Sequence, residues 1–175
     1  MYARPRKGSH LETVKYEIDM LRFCLERLRA DSKQRDQGEV NLLIEGFLLH
    51  YRNLLEFFSG VHHRSDDDLS TRAARVWAER ELTGEELAVM QAPAIVLDTQ
   101  YFQVISKYLQ HCTEQRHLAD RGWDIDGMYE QVHPILSAFE KSFLGGTVIV
   151  TKGSSDLSGS HTATMTTYNI FPERE

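Results

Sequence analysis

The chain is poor in cysteine. It has two, Cys24 and Cys112, and no Cys-x-x-Cys spacing. A disulfide framework is therefore not indicated, and neither is a structural zinc site, whose ligands come in closely spaced pairs. Both cysteines lie in apolar helical patterns and read as buried, reduced thiols. Long apolar runs are also missing. The most apolar stretch, Leu42–Phe58, is interrupted by Glu45, His50, Arg52, Asn53 and Glu56, which argues against a membrane span. The basic N-terminus is followed by no apolar segment of the kind a secretory signal carries. A cytoplasmic protein away from the membrane is expected. There is no glycine-rich phosphate loop, because Gly145-Gly146 precedes neither a helix nor a Lys-Ser/Thr pair. There is no Gly-x-Ser-x-Gly elbow either.

Apolar material is ample, at 41% of 175 residues, which is enough for one folded domain. The net charge of −6 gives no general attraction to nucleic acid or anionic lipid. Positive charge is concentrated early: residues 1–35 hold nine Lys and Arg against five Asp and Glu. Arg4, Arg6 and Lys7 read as a solvated terminus or as a short phosphate-contacting arm.

Periodicity predicts an all-α fold, an antiparallel helix bundle of four to five main helices over residues 9–145. A first helix is expected from a capping box at Ser9 and Glu12, with Val14, Ile18, Leu21, Leu25 and Leu28 on its core face. A second runs from about Val40 to Phe58 and is apolar over most of its surface, which predicts extensive burial. Ser59-Gly60 should stop it. After the acidic loop Ser65–Leu69 a short helix is expected over Thr71–Ala78. Thr83-Gly-Glu-Glu86 starts another, which Pro93 should interrupt. A separate long helix is then expected from about Asp98 to Arg116, and a last one from near Asp126, kinked or broken at Pro134. Residues 146–175 read as a C-terminal β-hairpin or a flexible tail, because Thr147–Thr151 and Thr164–Ile170 are rich in β-branched and aromatic residues.

Two helices carry more polarity than a core requires. On the second, Glu45, Arg52 and Glu56 share a face, with Asn53 alongside. They read as an ion-paired row or as a polar cleft. On the later helix, Lys107, His111 and Gln115 recur every four residues, with Arg116 adjacent. His111 could serve as an acid or base, and an arginine could stabilise charge on a phosphate. A packed or capping histidine is the alternative. The loop with His62, His63 and Asp66–Asp68 has metal-friendly residue types but no rigid ligand geometry. No metal and no cofactor is expected.

Two stretches, Glu45–Phe58 and Ile105–Arg116, resemble the HEPN superfamily of small helical bundles. The order of helices and the loop Ser65–Leu69 are similar to HEPN-like bacterial proteins of unassigned function. The resemblance spans about residues 10–145 and implies the bundle fold. Active members of that superfamily are metal-independent RNA endonucleases, often in toxin or anti-phage systems. Their motif is an Arg and a polar residue, then a His after about four to six positions. Neither helix completes it here. Arg52-Asn53 matches the first half, but Phe57, Phe58 and Ser59 stand where the His belongs. If His111 is the motif His, its Arg would fall at Ser106, Ile105 or Val104. Lys107 stands too close, and lacks the forked guanidinium.

The expectation is thus a non-catalytic bundle that acts by binding, with RNA or a second copy of the chain as partner. One alternative is a divergent ribonuclease using His111 with Arg52 or Arg116. Another is a ligand- or metal-binding bundle built on Glu45, Asn53, Glu56 and Lys107.

Overall fold

A computed structural model of the chain describes residues 7–30, 35–62, 69–74, 82–110 and 122–143. The expected hairpin or tail over 146–175, Cys112, His111 and Arg116 lie outside them.

The described residues are all-α. Helix α1 spans Lys7–Arg29, α2 Gln37–Ser59, α3 Thr71–Ala74, α4 Gly84–Gln110 and α5 Ile125–Phe143. Side-chain ties fix the arrangement. Arg27 of α1 reaches Glu39 of α2, and Tyr16 lies against His50, so the two helices run antiparallel. Arg52 of α2 reaches Ser106 of α4, and Gln91 reaches the Ser59 carbonyl, which makes α2 and α4 antiparallel. Tyr108 packs on Trp123 while Gln131 reaches Tyr101, so α5 runs back along α4. Arg22 and Arg29 of α1 then meet Glu140 and Asp126 of α5. Four long helices close an up-down-up-down ring around one core.

That core is built from the predicted stripes. Val14, Ile18, Leu21 and Leu25 of α1 are buried, as are Met128, Val132, Ile135, Leu136 and Phe139 of α5. From α2 come Phe47, Leu48, Tyr51, Leu54, Leu55 and Phe58, each 0–1% exposed. Burying one such side chain is worth about 1.5–3 kcal/mol, so α2 is the central staple of the bundle. Its burial is not complete, however. Leu42 and Leu49 face water, so one side of a helix expected to be largely buried is exposed.

The helix ends follow capping chemistry. Asp36 caps α2 by accepting from the Glu39 amide. Gly60 ends it in the left-handed region at φ +65°, where a side chain would be strained. Thr71 donates to the Phe57 and Phe58 carbonyls, so α3 seals the same end. At Thr83 and Glu86 a reciprocal capping box forms, with bonds of 2.8 and 3.2 Å. Asp124 starts α5 by accepting from Gly127.

Three boundaries differ from expectation. α1 begins at Lys7, which puts Ser9 inside the helix and not at its cap. Pro93 does not interrupt: α4 runs unbroken from Gly84 through the segment expected to start afresh at Asp98. Proline removes one donor to the preceding turn, and here Val89 and Pro93 are both exposed, so water can serve the carbonyl left over. Pro134 likewise sits on the exposed side of a continuous α5.

Candidate functional site

α2 presents polar side chains to both of its neighbours. The α4 side is organised by Phe102, which is 7% exposed. Its ring stacks on the His62 imidazole, with centroids 3.6 Å apart and planes 12° from parallel. Over the same ring, at 4.7 Å, lies the Arg52 guanidinium. Stacking that close leaves no room for a second group on the imidazole's face, so Phe102 separates the arginine from the histidine. Such a cation over an aromatic ring gains about 0.5–2 kcal/mol.

Each flanking group is held from behind. Arg52 Nε donates to Ser106 Oγ at 2.8 Å, and its Nη2 lies 3.8 Å from Glu56. His62 Nε2 lies 3.0 Å from Asp98 Oδ2. A carboxylate accepts, so the proton of that bond sits on the imidazole. Asp98 is 5% exposed, and its Oδ1 has no partner among the described residues.

The α1 side carries a second network. Glu17 Oε2 accepts from His50 Nδ1 at 2.7 Å and from Asn53 Nδ2 at 3.1 Å. His50 is buried, and its ring meets the edge of Tyr16 at 5.8 Å. Next to this network a cleft of about 250 Å³ opens between α1 and α2. Glu17, Asn53 and Glu56 line it together with Val14, Leu54 and Phe57.

The predicted site residues therefore divide. Arg52 faces the later helix, where it reaches Ser106. Asn53 turns the other way, towards α1, and Glu56 borders the α1–α2 cleft. A step of one residue on a helix is about 100°, enough to put neighbours on opposite flanks. Glu45 is half-buried on α2 and Lys107 is exposed on α4. His111 and Arg116 fall outside the described residues, as do His63 and Asp66–Asp68. Among the described residues no three His, Cys, Asp or Glu side chains group as a metal site. No described helix is long and apolar enough to cross a membrane.

Sequence reasoning did not anticipate Glu17, His50, Asp98 or Phe102 as parts of polar networks. Glu17 lies on the charged face of α1, and only the register of α1 against α2 brings it to His50. Asp98, expected at a helix start, stands near the middle of a continuous α4 among core residues, the pattern of a buried carboxylate.

No family model, curated protein or solved structure matches this chain.

Proposed function

We propose that this chain is a HEPN-like bundle that acts by binding and not by catalysis, with a second copy of itself as partner, in a defence or regulatory setting. One observation carries the reading. The outer face of the α1–α2 pair exposes Tyr16, Phe23, Leu42 and Leu49, each 43–69% accessible. Residues 16 and 23 are seven apart, and so are 42 and 49, which is the seam spacing of packed helices. Each row lies on the side of its helix turned away from the core, and the Tyr16–His50 contact and the Arg27–Glu39 tie hold the two helices side by side. Two aromatic and two leucine side chains in water are an unfilled half-interface. A two-fold axis through this face would pack each row against its copy. The flanks carry both signs, in the pairs Lys15–Asp19 and Arg27–Glu39, so self-pairing need not oppose like charges. α4 also exposes Val89, Ile95, Val96 and Val104, but that surface is one helix wide and has no aromatic anchor.

The internal ties of α2 also favour binding over chemistry. Arg52 is spent on Ser106 and Phe102, and Asn53 on Glu17.

Light scattering tests the reading. The chain should run at twice its 20.2 kDa mass, and Leu42→Glu with Leu49→Glu should return it to the monomer with helicity unchanged. A parent chain that stays monomeric at submillimolar concentration removes the self-pairing.

One contact favours a second reading, the divergent ribonuclease. Ser106 stands five residues before His111, at a motif arginine position, and Arg52 brings a guanidinium there from α2. Cleavage of RNA by the parent that is lost in both Arg52→Ala and His111→Ala would establish this reading and overturn the non-catalytic one.

A further inference from the structure

We propose that the cleft between α1 and α2 binds a small organic cation, an alkylammonium or alkylguanidinium group with a short apolar stem. This inference is independent of self-pairing and of any ribonuclease chemistry. The cleft measures about 250 Å³, at the small end for ligand pockets, and suits a group of a few heavy atoms better than a nucleotide or a peptide segment. Its apolar wall is Val14, Leu54, Phe57 and Leu69, which would cover a hydrocarbon stem.

The polar rim decides the sign of the ligand. Glu17, Asn53 and Glu56 all border the cleft. Both hydrogen bonds to Glu17 fall on Oε2, from His50 and Asn53, so Oε1 accepts none among the described residues. Asn53 spends an amide N–H on Glu17, and its Oδ1 accepts no hydrogen bond from the described residues. Glu56 has Arg52 only at 3.8 Å, while that arginine makes its 2.8 Å bond to Ser106. The rim thus offers acceptors from Glu17, Asn53 and Glu56 beside the Thr13 hydroxyl, and among the described residues no Lys or Arg lines the cleft. An ammonium carries three donors and no acceptor, and a guanidinium five, so either complements this rim. An anion would meet two carboxylates. A neutral alcohol donates a single hydrogen and brings no charge, so it would serve one acceptor and leave both carboxylates uncompensated.

The ligand chemistry has two sources, a free amine or the side chain of a lysine or arginine on another protein. Amide NMR of the full chain, titrated with butylammonium, butylguanidinium, N-acetyl-lysine amide and 1-butanol, separates them. Saturable shifts confined to the Asn53 side-chain amide and the backbone of Leu54, Phe57 and Leu69 are expected with the cations and not with butanol. Glu56→Gln removes one partly exposed charge and should weaken binding about fivefold. Its spectrum away from the cleft reports that the fold is kept. Glu17→Gln should weaken it further. Tighter binding of N-acetyl-lysine amide than of butylammonium assigns the site to a protein side chain, and the reverse assigns it to a free amine. Equal shifts with butanol, no saturation with any cation, or affinity unchanged in both variants overturns the proposal.

Discussion

Among the described residues Tyr51 is the largest fully buried side chain, and its hydroxyl has no hydrogen-bond partner there. The ring itself is well placed, stacked 5.8 Å from Phe47 and edge-on to Tyr101 at 5.7 Å. Tyr51→Phe should therefore stabilise the protein. An unserved buried hydroxyl costs about 1–3 kcal/mol. Deleting one oxygen forfeits only a few weak dispersion contacts, worth about 0.1–0.2 kcal/mol each. A net gain of about 1 kcal/mol is expected, which raises Tm by about 2–4 °C for a chain of this size. A second signature comes from pH. Burial pushes the Tyr51 phenol well above the usual tyrosine range, and the neighbouring Tyr101 adds to the rise. The folded state then holds this proton where the unfolded state, with a pKa near ~10, releases it. The contribution is complete below about pH 10 and is lost as pH rises from there towards the folded value. At about pH 10.5 the parent should have lost roughly 0.8 kcal/mol that the variant does not lose, so the gap between them widens. Urea unfolding followed by circular dichroism at pH 7 and at pH 10.5 measures both effects. A variant less stable than the parent by 1 kcal/mol or more at pH 7 would show that the hydroxyl is satisfied. A gap that does not change with pH would refute the account of the phenol's proton.

The bidentate pair of Arg22 with Glu140, at 2.5 and 2.9 Å, and the 3.3 Å bond from Arg22 to Tyr129 close the ring between α1 and α5. The Glu140 bonds hold the guanidinium proton above its already high ordinary value. Arg22→Met should strand a mostly buried carboxylate and cost about 2 kcal/mol, and adding Glu140→Met should recover most of that, as thermal melts of the four forms would show. Gly46 is under pressure from α1, since a Cβ there would meet Cys24 Sγ at 3.0 Å. Gly46→Ala should cost about 1 kcal/mol despite the better helix propensity of alanine, and the cost should shrink in a Cys24→Ala background, measured by urea unfolding.

Heptad-like stripes, the glycine stop at Gly60 and the capping box at Thr83 were readable because each depends on residues within one or two helical turns. The core faces of α1, α2 and α5 follow from such spacing alone. Pro93 does not break α4 for a local reason that spacing does not carry: the turn before it is open to water. Leu42 and Leu49 stand on another side of α2 from its main apolar set, but the spacing does not tell that this side is left open, with no described helix over it.

What the sequence by itself determined is the all-α class, the apolar faces of the helices and the excess of polar groups on α2. A pattern that repeats every 3.6 residues is a property of one helix and needs no partner. Only the tertiary structure decided which helix each polar group serves. Arg52 and Asn53 are adjacent in the chain, yet one binds Ser106 of α4 and the other Glu17 of α1. That choice depends on the register and rotation of three packed helices, fixed by the fit of dozens of core side chains at once and not by any residue near 52 or 53.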